Sequence, residues 1–162
     1  MAIPIYVLDT PAFIVGIPCS LTDKLYTVPG VFLELSRKAD KERFEYFQNA
    51  GLKVQSPASK YLEEIELKAK TTGDSERLSE VDKSLIALAL ELNAVLITDD
   101  YSIQNLAEEF GISYRTVSEK GITEIIHWEL KCKGCARIWN EPHQTCPVCG
   151  SALKSSRKKS DK

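Results

Sequence analysis

The sequence has no apolar run close to the roughly 20 residues that a helix needs to span a bilayer. Its first ten residues, MAIPIYVLDT, lack the basic segment of a secretory signal and include an acid, Asp9. Histidine is scarce, with two in 162 residues, which leaves little support for a Ser-His-Asp triad. No G-x-G-x-x-G or P-loop motif follows a strand-like stretch, so a nucleotide-cofactor fold is unsupported. We therefore expect a cytoplasmic protein without a membrane partner.

The charge is unevenly divided along the chain, although the total is only −2. Residues 1–130 carry 13 Lys and Arg against 21 Asp and Glu, a net −8, whereas residues 131–162 carry 8 against 2, a net +6. An acidic body with a basic C-terminal part indicates one region that handles cations and another that handles a polyanion. Two solvated surfaces of opposite sign are the alternative interpretation.

Short apolar stretches alternate with longer amphipathic ones, which is typical of a parallel α/β sheet. Five strands are predicted, over residues 5–9, 25–28, 52–56, 94–98 and 112–117. Helices are predicted over residues 29–50, from Ser56 and Pro57 to about residue 70, over 78–93 and over 102–110, with a surface loop at 71–79. The predicted fold is thus a parallel sheet of about five strands flanked by helices.

Two of the predicted strands end in carboxylates: Asp9 closes the first, and Asp99 and Asp100 follow the fourth. Because the carboxyl ends of parallel strands form one edge, where ligands bind, we expect Asp9 to meet one of the later pair. Glu34 and Asp82 lie early in predicted helices that face the same edge. Converging carboxylates require a counter-charge, and oxygen ligands with few histidines favour Mg²⁺ or Mn²⁺.

A site of this kind suits phosphodiester hydrolysis, because a divalent metal activates water and neutralises phosphate. Each acid also has a structural alternative. Ser79 to Asp82 matches a helix capping box, Glu34 can be a solvated helix residue, and aspartates at strand ends are common turn formers. It is the joint placement of the acids that favours a metal site.

The sequence LITDDYS divides its two acids between opposite sides of the chain. Side chains alternate along an extended segment, so Asp99 and Asp100 should point apart, with Thr98 on the side of Asp100. Only one of the two acids is then well placed for a metal.

The C-terminal part contains Cys132-x2-Cys135 and, ten residues later, Cys146-x2-Cys149. Two such pairs predict a closed tetrahedral zinc site, which is structural because no coordination position is open. A rubredoxin-like iron site is the main competing interpretation. The fifth cysteine, Cys19, is best interpreted as a small buried apolar residue.

Basic residues and one tryptophan in and after this module suit nucleic acid, with charge for the phosphates and an aromatic face for a base. Trp139 could equally fill the small core of the module. The predicted RNA-binding residues are Lys131, Lys133, Arg137, Trp139, Lys154, Arg157, Lys158 and Lys159.

These features divide the chain into four parts. We expect a nuclease-like domain over residues 1–117, a linker over 118–130, a zinc ribbon over 131–153 and a basic disordered tail over 154–162.

Four stretches in order resemble the successive motifs of a PIN domain: VLDTPAF, VPGVFLEL, TGDSERLSEVDKSLIALALELN and LITDDYSIQNLA. A zinc ribbon behind a PIN domain resembles the Nob family of ribosome-maturation endonucleases. The resemblance covers nearly all of residues 3–153, and the motifs are specific in combination rather than singly.

The resemblance implies a Mg²⁺- or Mn²⁺-dependent endoribonuclease that cuts precursor small-subunit ribosomal RNA to form its mature 3′ end. The pre-ribosomal small subunit and its assembly factors are the implied partners. The family motif reads T-x-D at the fourth strand, which favours Asp100 over Asp99 and leaves Asp99 as a turn former or an outer acid. Matched motif by motif, the catalytic metal ligands are Asp9, Glu34, Asp82 and Asp100.

One position departs from the family pattern. The first PIN motif usually has Ser or Thr two residues after its aspartate, and here that residue is Pro11. Thr10 offers a hydroxyl instead, from a neighbouring position. Two other functions remain open: an RNA-binding ribosome-assembly factor without useful nuclease activity, and a toxin-type PIN ribonuclease, whose members typically lack a zinc ribbon.

Overall fold

A computed structural model of the protein describes residues 2–117, 128–141 and 143–157. The N-terminal body contains five strands and six helices. The strands are β1 (Ile5–Leu8), β2 (Lys24–Thr27), β3 (Lys53–Val54), β4 (Val95–Ile97) and β5 (Tyr114–Arg115). The helices are α1 (Pro11–Ile14), α2 (Pro29–Glu34), α3 (Lys38–Asn49), α4 (Ser59–Thr72), α5 (Glu80–Leu92) and α6 (Tyr101–Glu109).

The five strands form one sheet in the order β3-β2-β1-β4-β5, and every pairing is parallel. This confirms the predicted fold class. β1 and β4 are neighbours at the centre, with Leu8 opposite Ile97, although they lie about ninety residues apart in the chain. The residues that follow these two strands are therefore placed side by side at the carboxyl edge.

The core lies between the central strands and the helix α5. Leu8 and Ile97 are completely buried, and so are consecutive residues of α5 from Leu85 to Leu88. The helical spacing of its apolar residues in the sequence predicts one buried stripe on this helix. The helix is instead buried over several faces because it packs on β1 and β4 and also contacts α4 and α6. Its position is thus set by neighbours on more than one side.

The helix predicted over residues 29–50 is two helices. The backbone is extended at Leu35 and Arg37, which separates α2 from α3. Leu35 is buried, so the break directs its side chain into the core. In a continuous helix the same side chain would lie on another side of the helix axis. Downstream, α3 packs through Phe44 and Phe47 against Phe13 of α1, a helix that the sequence did not predict.

Two further boundaries differ from expectation. α4 begins at Ser59 instead of Pro57, because Ala58 has an extended backbone. The stretch predicted as a surface loop holds a completely buried carboxylate, Asp74, which accepts hydrogen bonds from Thr72 (2.6 Å) and Asn105 (2.8 Å). This loop is therefore anchored to the body.

The C-terminal cysteine region forms an antiparallel sheet in the order β7-β6-β8: β6 (Trp128–Cys132), β7 (Ile138–Trp139) and β8 (Leu153–Arg157). The first residues of β6 fall in the predicted linker. Residues 154–157, predicted as disordered tail, form most of β8, because pairing with β6 satisfies their backbone groups despite a polar sequence. Residues 118–127 and 158–162 lie outside the described residues, and the division into domains stays a prediction.

Within the described ranges, we find no helix that is both long and apolar enough to cross a membrane.

Candidate active site

Asp9 follows β1 and is buried, with 5% of its surface exposed. Its Oδ1 accepts a hydrogen bond from the Thr10 amide (2.6 Å), and its Oδ2 accepts one from the Thr98 hydroxyl (2.7 Å). Burial raises the pKa of this carboxyl from 3.8 to about 6, against the two hydrogen bonds that lower it, and the charges of Asp82 and Glu34 raise it further. Asp9 therefore lies within electrostatic reach of two other predicted ligands.

Glu34 lies at the end of the short helix α2, where we had expected it early in a long helix. Its side chain is exposed, and its Oε2 accepts a hydrogen bond from the Thr10 hydroxyl. Thr10 thus turns its hydroxyl toward the acids, while Pro11 is the first residue of α1. The PIN motif usually has Ser or Thr at the position of Pro11, which here begins α1. The hydroxyl comes from the preceding residue, Thr10.

Asp82 has the structural role considered for it, as part of a helix cap, and it also lies near the other acids. It closes a capping box on α5, in which its Oδ2 accepts from the Ser79 amide (2.7 Å) and its own amide donates to the Ser79 hydroxyl (3.1 Å). Burial raises the pKa of the Asp82 carboxyl, and the nearby charges of Asp100 and Glu34 contribute to the increase. The cap places this carboxylate next to the other acids.

The adjacent acids Asp99 and Asp100 have different partners. Asp100 caps α6, accepting from the amides of Ser102 (2.7 Å) and Ile103 (3.2 Å). The Asp100 amide donates to the Thr98 hydroxyl (3.1 Å), and that hydroxyl donates to Asp9. Asp99 instead accepts from the amide of Val117, beyond β5 (2.6 Å). Thr98 thus joins Asp100 to Asp9, and Asp99 belongs to a separate contact.

Electrostatic effects show that the four acids Asp9, Glu34, Asp82 and Asp100 are near one another. The charges of Asp82 and Glu34 raise the pKa of Asp9, and the charges of Asp100 and Glu34 raise the pKa of Asp82. In the described part of the chain, none of them forms an ion pair with lysine or arginine. Lys83, next to Asp82, pairs with Glu66 (2.9 Å) and Glu80 (3.0 Å) instead. A bound cation would supply the counter-charge that the described residues do not give these acids.

The chemistry of this donor set fits a divalent cation. All four groups offer carboxylate oxygens, which are the ligands of Mg²⁺ and Mn²⁺. Mg²⁺ usually keeps several of its waters and is bound through one or two carboxylates, so a site of this kind does not need all four acids as direct ligands.

The four cysteines of the ribbon form a compact group. All four Sγ atoms lie within 4.8 Å of one another, and the closest pairs are Cys132 with Cys149 (3.3 Å) and Cys135 with Cys146 (3.7 Å). A tetrahedron with Zn–S bonds of about 2.3 Å has S–S edges of about 3.8 Å. The cysteines therefore have the spacing of a zinc ribbon, as predicted.

Backbone groups complete this cysteine cluster. The amides of Gly134 and Cys135 donate to the Cys132 sulfur at 3.3 and 3.4 Å. A Cβ at Gly134 would lie 2.3 Å from Ser151 Oγ, so this position requires glycine. His143, which lies between the two cysteine pairs in the sequence, has its ring edge-on to Trp139 at 5.2 Å between centroids.

The predicted RNA-binding residues lie on this ribbon in several environments. Lys133, Arg137 and Lys154 are exposed, and Lys131 and Trp139 are partly buried. The side chain of Arg157 and the residues Lys158 and Lys159 lie outside what the structure describes. Their role in binding RNA stays a prediction.

Cys19, the remaining cysteine, is partly buried and packs against the core. Burial raises the pKa of its thiol to about 11, so the reactive thiolate form is disfavoured.

Arg43 is a supporting residue that the sequence did not reveal. Its Nη1 donates to the carbonyl oxygens of Phe13 (2.9 Å) and Ile14 (2.8 Å), which end α1. These contacts hold the segment that directly follows Asp9 and Thr10. No sequence signal marks this arginine, because the helix that it holds was itself not predicted.

Comparison with known proteins agrees with this geometry. A family model for the PIN domain of ribonuclease matches residues 6–92. Endoribonuclease Nob1 of Pyrococcus abyssi is 38% identical over 151 residues, which cover 91% of this chain and 91% of that protein. Ribonuclease VapC1 of Thermoplasma acidophilum is 35% identical over 153 residues, which cover 93% of this chain and 77% of that protein.

The fold is also found among solved structures. A chain in the crystal structure of VapBC2 from Rickettsia felis, bound to a DNA fragment from their promoter, matches with a TM-score of 0.50 and 17% sequence identity. The match covers 69% of this chain and 98% of that chain, and at this identity it concerns the fold alone. The sequence relatives carry the assignment further: the chain belongs to the PIN-domain ribonuclease family, as a member of its Nob endoribonucleases.

Proposed function

We propose that this protein cleaves precursor small-subunit ribosomal RNA to form its mature 3′ end, using Mg²⁺ or Mn²⁺. The observation that carries the proposal is the set of four acids at the carboxyl edge of the sheet, without a basic partner in the described chain. The likeness to an endoribonuclease Nob1 over 91% of both chains supports the choice of substrate.

In this proposal Asp9, Glu34, Asp82 and Asp100 hold the metal, which when bound supplies an activated water and neutralises the phosphate. The protein's own groups orient these acids. Thr98 directs Asp9 Oδ2, and Thr10 directs Glu34 through its hydroxyl. Because these groups are held before substrate arrives, little reorganisation is needed at the moment of cleavage.

The ribbon supplies the RNA-binding surface in the same proposal. Residues 131–162 carry the net +6 that attracts the phosphates, and the structural zinc holds the module. The proposed setting is the cytoplasm, with the pre-ribosomal small subunit and its assembly factors as partners.

The test is a cleavage assay on precursor ribosomal RNA with mapped product ends. Asp82→Asn and Asp100→Asn should each lower the cleavage rate by about 100-fold or more, because each removes a metal ligand. Asparagine also caps helices, so both variants should keep their fold. Asp99→Asn is the matched control, since Asp99 contacts Val117 instead of the acids, and it should retain most activity.

Wild-type cleavage rates in both variants would show that the acids are not catalytic. Loss of cleavage with retained RNA binding would argue against an assembly factor that only binds RNA.

A toxin-type ribonuclease is the second candidate, and the 35% identity to ribonuclease VapC1 of Thermoplasma acidophilum favours it. Parallel assays on transfer RNA, messenger RNA and the ribosomal precursor separate the two. Selective cleavage at the mature 3′ end supports the first candidate, whereas preferred cleavage of another RNA supports the second.

A further inference from the structure

A cavity of about 490 Å³ lies where the ribbon meets the body. One wall comes from the end of α4 and the following loop, and the other comes from β6, β7 and β8. Arg77 of the loop donates from Nε (3.3 Å) and Nη2 (3.2 Å) to the hydroxyl of Ser155 in β8. The volume is within the range of about 300–1,000 Å³ that is usual for small-ligand pockets.

Trp139 gives this cavity an aromatic wall. The residue is partly exposed and borders the cavity together with residues of the body. A ligand that matches an aromatic wall has a flat π face that can stack on it.

The charges around the cavity argue against a bare phosphate as the occupant. Two cationic residues, Lys70 and Arg77, are accompanied by three acids, Glu76, Glu129 and Glu141. A phosphate would be repelled by the acids, whereas an uncharged nucleobase offers donors to the carboxylates and acceptors to the cations. The lining therefore fits a base better than the backbone of a nucleic acid.

The cavity is also close to the acidic site along the chain. Arg77 precedes Asp82 by five residues, and five residues span at most about 18 Å. One strand of RNA can thus place a base in the cavity while a nearby phosphodiester lies at the acids.

We propose that this cavity binds one unpaired base of the substrate RNA, stacked on Trp139. This inference rests on the proposed function, since it assigns a base-binding subsite to the same RNA. It makes Trp139 a specificity residue and gives the junction between body and ribbon a direct contact with substrate.

A double-mutant cycle tests the base contact. Affinity is measured for single-stranded oligoribonucleotides spanning the mature 3′ end, each with one abasic position, on zinc-loaded protein without added Mg²⁺ or Mn²⁺. With the wild type, one abasic position should lower affinity by about tenfold, at the low end of what base–aromatic stacking gives. With Trp139→Leu, the same abasic position should have no further effect.

Two additional variants guard against a folding artefact. Ser75→Phe fills the cavity from the body side, without touching the ribbon core, and should also abolish the abasic effect. Val148→Ala changes an exposed ribbon residue that is not part of the cavity lining or of the predicted RNA-binding set, and should leave the abasic effect intact. Zinc content and thermal melting verify that each variant is folded.

The inference is overturned if no abasic position lowers the affinity of the wild type. It is also overturned if Trp139→Leu and Ser75→Phe show the same abasic effect as the wild type. A third result also overturns it: a free nucleoside monophosphate binds tightly in a Trp139-dependent manner while no abasic position lowers RNA affinity. That result would indicate a small-molecule site. Because the binding assay requires no cleavage, a failure to cut ribosomal RNA would count against the proposed function alone.

Discussion

Thr98 is the residue through which the two distant acidic segments meet. Its buried hydroxyl donates to Asp9 and accepts from the amide of Asp100, so one side chain sets the relative position of both segments. The same local geometry sends Asp99 to the opposite side, toward Val117. Two identical side chains in succession therefore have different surroundings, and only one of them belongs to the acidic site.

Asp9→Asn should change the pH dependence of stability in protein without added Mg²⁺ or Mn²⁺. Folding raises the pKa of Asp9 from 3.8 to about 6, so the folded state disfavours the charged form. Wild-type stability therefore falls as pH rises through this window, whereas asparagine does not titrate. The difference in unfolding free energy, variant minus wild type, should increase by up to about 3 kcal/mol as the pH is raised from 3.5 to 7.5.

Denaturant titrations at several pH values measure this difference. Saturating Mg²⁺ is the control, since it should stabilise the wild type at pH 7.5 and reduce the gap. A difference that is constant across the pH range would contradict the burial of a titrating Asp9.

At the scale of elements, helix contacts decide where two of the acids lie. Gly30 of α2 faces Val81 of α5 so closely that an added Cβ would lie 2.4 Å from Val81 Cγ2. Glu34 ends the first of these helices, and Asp82 follows Val81 in the second. The close approach at Gly30 therefore sets the distance between two predicted ligands.

Gly30→Ala should destabilise the protein by about 1–3 kcal/mol, although Gly to Ala inside a helix normally stabilises. The new methyl group must displace Val81, and the displacement should also lower cleavage. Val81→Ala removes the clashing methyl groups, so adding Gly30→Ala to that background should have little effect on stability or rate. Equal effects of Gly30→Ala in both backgrounds would show that the two helices are not in contact there.

At the scale of the whole molecule, the body and the ribbon depend on different stabilising forces. The body has a continuous apolar core, whereas the described ribbon residues contribute no side chain to that core. The buried apolar side chains found in the described ribbon are the ligands Cys132 and Cys146. We therefore expect the ribbon to depend chiefly on its short sheet and on a metal bound by the four cysteines.

Removal of zinc should thus unfold the ribbon and leave the body folded. Cys146→Ser should show the same loss, with RNA affinity reduced by about tenfold or more because the basic surface is no longer organised. Cys19→Ser is the matched control, since Cys19 lies away from the cluster, and it should keep both zinc and RNA affinity. Calorimetry, zinc content and binding measurements follow these changes, and simultaneous loss of body and ribbon would contradict them.

Much of this molecule was predictable from local patterns. Alternating apolar segments predicted the five parallel strands, and the Ser79-to-Asp82 spacing predicted the cap on α5. The cysteine spacing predicted the compact thiol group, because a C-x-x-C turn needs few residues to form. Asp9 was predicted to meet one of the pair Asp99 and Asp100, since parallel strands end at one edge, and Thr98 links it to Asp100.

What the sequence by itself determined is therefore the set of strands, the carboxylate chemistry of the acids and the grouping of the four cysteines, all of which depend on residue type and short spacing. Only the tertiary structure decided the break after Glu34, the contact of Arg43 with α1 and the order in residues 154–157. It also decided the cavity beside Trp139. Each of these depends on contacts between segments far apart in the chain, which local propensity does not encode.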